Sequence, residues 1–343
     1  MLFGAIISVI GFLTLDKMVR FLGSTETIAP YARTYITYIL IAAPFMTSSL
    51  TMNNILRYEG KAKLGMKGLM AGAILNMAGD PILMFVLKMG IAGAGLSTAL
   101  SQLVSWGILL SMFLHGKTES EIKIKSTDFS KVWNIMSTGF PSMLRQGLNS
   151  LTTVMLNAQC ATYGDAAIAA MSIVSRIIFF AFSIALGVGQ GFQPVAGYNY
   201  GAKKYSRVRQ GYQFTVIAAE CIIIVMSVLL IALSGKLIGA FRDDPDVILI
   251  GTRALRLQTV ATLFLPPCMA TEMLYQSTGR KLGATVLSAV RSGLLFIPSL
   301  LILASVRGLA GIQEAQPLSQ ILSFPAAIWF AIAFFRKLPK EQT

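Results

Sequence analysis

Charge is the first thing this sequence lacks. Only 13% of its 343 residues are charged, whereas a soluble domain carries about a quarter. Histidine is nearly absent: His115 is the single copy, which excludes a histidine-based metal centre or a Ser-His-Asp arrangement. The three cysteines, Cys160, Cys221 and Cys268, show no CxxC spacing and lie in or beside apolar runs. They read as packing residues, and neither a disulfide nor a bound metal is expected. No HExxH, GxSxG, paired-aspartate or acidic metal motif occurs, so an enzyme is not expected. Basic residues interleaved with aromatics are also missing, which argues against nucleic acid as a partner despite a net charge of +14. The apolar run starts at Met1 with no basic leader, so no signal peptide is expected.

Apolar sequence is abundant: 55% of the residues are hydrophobic and the mean hydropathy is +0.67. A spanning helix needs about 20 mostly apolar residues. Ten stretches qualify, at 1–22, 32–56, 66–87, 92–114, 134–160, 166–192, 212–234, 247–276, 283–304 and 315–335. Lipid is the solvent this pattern suits, because helices satisfy their own backbone polar groups there. The connections alternate in charge. Seventeen of the 29 basic residues fall in one set, from Arg57 to Lys67, Lys117 to Lys131, Lys203 to Arg209, Arg280 and Lys281, and Arg336 to Lys340. The opposite set holds seven and the acidic run Asp243, Asp244 and Asp246. The positive-inside rule places the richer set, and with it the C-terminus, in the cytoplasm of a plasma (inner) membrane protein.

The chain repeats itself. Lys63-Leu64-Gly65 returns as Lys281-Leu282-Gly283, Gly90-Ile91-Ala92-Gly93 as Gly308-Leu309-Ala310-Gly311, and Leu100-Ser101-Gln102 as Leu318-Ser319-Gln320, all at an offset of 218. The second copy holds six helices, so the copies face the same way as parallel repeats. The expected organisation is an N-lobe at 1–114, a polar cytoplasmic linker at 115–132 and a C-lobe at 133–343. About 85 residues of the second copy, enough for two spans, have no counterpart before Met1. The expectation is therefore an all-α polytopic bundle with ten of twelve transmembrane helices present, from a fragment or a misplaced start.

Several motifs resemble the multidrug and toxin extrusion (MATE) family. Arg57-Tyr58-Glu59-Gly60-Lys61, Asn76-Met77-Ala78-Gly79-Asp80-Pro81 and Gly90-Ile91-Ala92-Gly93-Ala94-Gly95-Leu96-Ser97-Thr98 are similar to its fourth-to-sixth-helix region. The run from Gly187 through Gln190, Pro194 and Asn199-Tyr200-Gly201-Ala202 is similar to its eighth helix and following loop. The resemblance covers essentially the whole chain. It implies two six-helix lobes around a central cavity, and antiport of organic, often cationic, compounds against H⁺ or Na⁺, with no other cofactor. In some branches the first helix carries a cation-coupling carboxylate, which would lie before this sequence. Others have a carboxylate where this chain has Arg145 and Gln146. A monomer is expected, since the two lobes already supply the internal pseudo-symmetry. The alternatives are a lipid-linked oligosaccharide flippase of related architecture, which asks Arg145, Arg176 and Arg291 to meet in one cationic cavity, or a non-functional fragment.

Ionisable groups inside a bilayer are costly unless they are paired or used. Six are read as lying inside the bilayer: Asp80, Arg145, Arg176, Glu220, Glu272 and Arg291. Asp80 leads, with Asn76 one turn before it and Pro81 after it. Proline leaves a carbonyl one turn back without its donor, so the place suits Na⁺, H⁺ or a cationic substrate; the alternative is an arginine partner that locks two helices. Arg145 and Asn149 share a helix face, with Gln146 beside them. Arg145 either binds an anionic group or pairs with Asp80 or a further helix. Arg176 is read as partner to a carboxylate or as a site residue. Glu272, with Gln276 four residues on, is a gating contact or a solvated surface acid. Glu220 is read as structural, and Arg291 as a helix lock or a substrate contact. Pro44, Pro81, Pro141, Pro266 and Pro267 are expected kinks or hinges. The 17 methionines read as ordinary packing residues, and Tyr31 and Tyr35 as part of an interfacial belt.

Overall fold

The computed structural model describes residues 1–21, 29–116, 118–120 and 130–339. Most of the expected linker and the last four residues lie outside the described residues. The described residues are helical almost throughout. In chain order the helices are α1 (Leu2–Leu13), α2 (Leu15–Phe21), α3 (Ala29–Tyr58), α4 (Ala62–Pro81), α5 (Gly90–Leu114), α6 (Ser130–Ala161), α7 (Asp165–Gly201), α8 (Tyr205–Ala232), α9 (Ser234–Phe241), α10 (Pro245–Thr262), α11 (Leu265–Ser277), α12 (Lys281–Ala289), α13 (Phe296–Arg307) and α14 (Leu309–Arg336). Two π-helical turns, Ile82–Val86 and Val290–Leu294, follow α4 and α12.

All ten apolar segments are helical, but they are not alike. Among the described residues, seven helices are long and apolar enough to cross a membrane, or eight if α10 and α11 are one broken span. The 1–22 segment is split: α1 stops after 12 residues. The 134–160 segment lies in α6, a 32-residue helix that carries Asn134, Ser142, Arg145, Gln146 and Asn149 among its apolar residues. The 247–276 segment is not a kinked rod. It breaks at Leu263 and Phe264, and the two halves meet at 50°. Pro266 and Pro267 stand just after that break, in the first turn of α11, where a missing N–H costs nothing. Pro44 and Pro141 lie inside the continuous helices α3 and α6.

The chain divides into two compact units, Met1–Thr127 and Asp128–Thr343. In the first, α3, α4 and α5 pack on one another, and α1 lies against α3. The α4–α5 approach is made by small residues. Gly68 faces Leu109, Gly72 faces Ser101 and Ser105, and Gly79 faces Ser97; a Cβ on Gly72 would sit 2.9 Å from the Ser101 carbonyl oxygen. Small residues let helix backbones close up where lipid offers no hydrophobic drive. Glu59, just past α3, holds the start of the connection after α5: it accepts hydrogen bonds from the Glu119 and Ser120 N–H groups at 3.2 and 3.0 Å.

In the second unit α11 is the enclosed element. Leu265, Pro266 and the run from Cys268 to Tyr275 are buried, against α7, α8, α12 and α14. Large apolar side chains face outward in both units: Phe85, Phe214 and Trp329 are all exposed, as lipid contact requires.

The sequence repeat has a structural basis. Gly90 and Gly308 start α5 and α14 at φ +57° and +59°, a region only glycine enters freely. Three residues on, Gly93 and Gly311 abut the backbone of the preceding segment. A Cβ on Gly93 would meet the Leu83 carbonyl at 2.7 Å, and one on Gly311 would strike the Leu303 carbonyl. Backbone cannot rotate away as a side chain can. Gly93→Ala and Gly311→Ala should therefore each destabilise the protein by about 1–3 kcal/mol. Thermal melts of the purified variants check this, and wild-type melting of either would refute the tight approach there.

Candidate functional site

Two polar clusters stand inside the helices, one in each unit. In the first unit the α4–α5 contact brings Asn76 and Asp80 beside Ser97 and Thr98. The Asn76 amide nitrogen donates to Asp80 Oδ1 at 3.0 Å, and lies 3.3 Å from Ser97 Oγ and 3.4 Å from Thr98 Oγ1. Ser97 in turn donates to the Asn76 carbonyl at 3.3 Å. Asp80 is half-buried, and among the described residues no cationic side chain pairs with it. The chain passes straight from Asp80 through Pro81 into a π-helical turn. Pro81 has no N–H to give the Met77 carbonyl, and the turn shifts the hydrogen-bonding frame of the residues after it. The cluster therefore offers carboxylate, amide, hydroxyl and carbonyl oxygens together, a hard-oxygen set suited to H⁺ or an alkali cation.

The second cluster is built on α11. Glu272 is 1% exposed and accepts from three directions. Arg145 Nη1 of α6 donates to Oε1 at 2.7 Å. Arg291 donates to Oε2 from Nε at 3.3 Å and Nη2 at 3.1 Å. Ser288 Oγ of α12 donates to Oε1 at 2.7 Å. The π turn makes this possible, because Arg291 lies within it. Gly293 lets that turn press on α6; a Cβ there would sit 2.9 Å from Leu148 Cδ2. One helical turn along α11, Gln276 donates to Ser142 Oγ at 2.8 Å and accepts from Gln193 at 3.0 Å. Glu272 and Gln276 are thus two rungs joining α11 to α6. The Arg291 guanidinium also lies 5.5 Å from the Phe182 ring centre, within cation–π range.

Beside this cluster opens a cavity of about 400 Å³ whose lining includes Arg145, Gln146, Asn149, Arg291, Ser292 and Gln320. Its volume falls in the range of small-molecule sites, roughly 300–1,000 Å³. The Ser292 hydroxyl and the Gln320 carbonyl oxygen are buried without a partner among the described residues.

These positions correct several expectations. Arg145 pairs with Glu272, not with Asp80. Glu272 is neither solvated nor at a surface; it is sealed between two arginines. Arg176 is exposed on α7, has no ion pair among the described residues and does not line the cavity. Glu220 is half-buried on α8 with no ion pair among the described residues. The roster of six ionisable groups was also short. Arg253 and Arg256 lie in α10; Arg253 and Arg307 both pair with Glu314 of α14, and Arg256 donates to Ser234 Oγ at 3.0 Å. Ser97, Thr98, Ser288, Ser292 and Gln320 escaped sequence reading because a hydroxyl or amide on an apolar helix carries no signal until its neighbour across the interface is known. The repeat motif Leu318-Ser319-Gln320 did mark the last of these.

The MatE family model matches residues 1–82 and 141–302, which include Asn76 and Asp80 of the first cluster and the whole Glu272 cluster. The chain belongs to the MATE family. It is accordingly a multi-pass membrane protein. The multidrug export protein MepA of Staphylococcus haemolyticus is 28% identical over 314 residues, covering 90% of this chain and 68% of that protein. MepA of Staphylococcus saprophyticus is 28% identical over 335 residues, 96% of this chain and 73% of that one. Solved MATE structures share the fold. The Vibrio cholerae transporter VcmN superposes with a TM-score of 0.89 at 22% identity, over 98% of this chain and 76% of its own. A MOP superfamily transporter from Pyrococcus furiosus, for which a reversed polarity of the binding pocket is reported, superposes at 0.92 and 22% identity, over 99% of this chain and 77% of its own.

Proposed function

We propose that this MATE-family chain is a secondary active exporter of small organic compounds, driven by influx of H⁺ or Na⁺ at the Asp80 cluster. The observation that carries this reading is the contrast between the two carboxylates. Glu272 is neutralised by two arginines; Asp80 has an amide and no cationic partner among the described residues. An unpaired carboxylate in an apolar span is expensive unless a cation or proton joins it. A cation that binds more tightly in one facing state shifts the equilibrium between states, and the substrate uses the other.

The MepA proteins, named for multidrug export, favour organic compounds as cargo. The charge alternation favours a plasma membrane location with the C-terminus in the cytoplasm. No cofactor beyond the coupling ion is invoked, and the working unit is a monomer in the bilayer. The flippase alternative asks for Arg145, Arg176 and Arg291 in one cavity; Arg176 stands apart, which favours the exporter.

The test is export of ethidium and of 4-hydroxybenzoate, a cation and an anion measured in parallel, from an efflux-deficient host expressing the full chain. Collapsing the proton gradient alone, or removing Na⁺ alone, should abolish export, and whichever does so names the ion. Export that survives loss of both gradients would overturn secondary transport.

A further inference from the structure

We propose that the cavity beside Glu272 binds the anionic head of a small organic molecule, a carboxylate or a group of like charge, that also carries a hydroxyl or amine. The assignment deepens the exporter reading and rests on it only for the purpose of binding.

The charge count is the first argument. Arg145 and Arg291 share one carboxylate, so the cluster holds one positive charge in excess. The remaining lining named above, Gln146, Asn149, Ser292 and Gln320, is neutral. An unbalanced charge among apolar helices has a strong preference for a counter-ion. The second argument is the donors in hand. Among the described residues, Arg145 gives one hydrogen bond to Glu272 and Arg291 gives two. Each guanidinium carries five N–H donors in a planar fork, so both keep donors for a second anion.

The third argument is independent of the arginines. Ser292 is 5% exposed, lines the cavity, and its hydroxyl has no partner among the described residues. Gln320 of α14 also lines the cavity and has a buried and equally unpartnered carbonyl oxygen among the described residues. A buried polar atom left unmatched is costly. Together they ask for a ligand with an acceptor at one end and a donor elsewhere. An anion bearing a hydroxyl or amine supplies both; a purely cationic molecule supplies no acceptor and faces the excess charge. The position of Arg291 and Ser292 in a π turn, a feature often found at functional sites, places both beside the same space.

The experiment is calorimetric titration of the full chain in lipid nanodiscs, without gradients, using three probes of one shape. These are 4-hydroxybenzoate, 4-hydroxybenzamide and (4-hydroxyphenyl)trimethylammonium. The benzoate should bind about tenfold or more tightly than the amide, the margin of a charge-assisted contact, and the ammonium should bind weakest. Arg145→Gln removes the excess charge and should reduce benzoate binding to the amide's level. Arg145→Gln with Glu272→Gln restores one net positive charge and should recover most of it, which a merely structural arginine would not allow. Ser292→Ala leaves the three charges untouched and should weaken benzoate binding about threefold to tenfold. Equal binding of benzoate and amide, tighter binding of the ammonium, or unchanged benzoate affinity in Ser292→Ala would each overturn the proposal. Binding without export would sink the coupling reading alone; export without anion preference would sink this one alone.

Discussion

Glu272→Ala should be among the most damaging single substitutions in this protein. It would remove the one acceptor that Arg145, Arg291 and Ser288 share and leave two guanidiniums facing each other in a buried place. Removing one partner of a buried ion pair costs about 3–5 kcal/mol, most of it the penalty of the charge left behind. Here two charges would be left. The triad joins α6, α11 and the π turn after α12, so the loss falls on the packing of three elements. In a melt of detergent-purified protein the variant should unfold many degrees below wild type or fail to accumulate. The neutral variant Arg145→Met with Glu272→Leu and Arg291→Met should regain most of the loss, since apolar groups of similar volume often replace a buried ion cluster at no net cost. A Glu272→Ala protein that melts like wild type would show that the triad does not hold those helices.

Asp80→Asn should have the opposite profile: a stable protein that does not export. Asparagine keeps the shape, and its carbonyl can still accept from Asn76. No ion pair among the described residues is lost, so the melt should stay within about 1 kcal/mol of wild type. The charge that attracts a proton or Na⁺ is gone, however, and the other carboxylate in the described helices of that unit, Asp16, is exposed and pairs with Arg33. Export of whichever of ethidium and 4-hydroxybenzoate the wild type carries should fall by at least about tenfold, equivalent to about 1.4 kcal/mol of lost driving interaction. Normal export by Asp80→Asn at normal expression would remove Asp80 from the mechanism. Together the two substitutions separate the carboxylates: one fails in stability, the other in transport.

The apolar pattern made most of the fold legible. Length and hydropathy predict helices wherever about 20 residues run without charge, because lipid leaves the backbone no other way to satisfy itself. The repeat was legible for a related reason. Gly90 and Gly308 must adopt positive φ, and Gly93 and Gly311 must admit a carbonyl where a Cβ would sit, so the same letters recur. The pattern was poorer at breaks. Pro266 and Pro267 mark a helix start after a 50° bend, which a hydropathy average passes over.

At the candidate sites, the sequence alone determined which groups are unusual. A carboxylate or guanidinium in an apolar run stands out because burying it is costly, and Asp80, Arg145, Glu272 and Arg291 all declared themselves in that way. Partnership was decided only by the tertiary structure. Arg145 and Glu272 are 127 residues apart, and nothing in their local sequence says that side chains of α6 and α11 meet. That neighbourhood makes Glu272, read along the chain as a gating contact or a solvated acid, a sealed counter-ion. It also leaves Arg176 outside the cavity and Asp80 without a guanidinium among the described residues. Cost is a property of one residue in its helix and can be read along the chain; satisfaction is a property of two residues across an interface, and only packing brings them together.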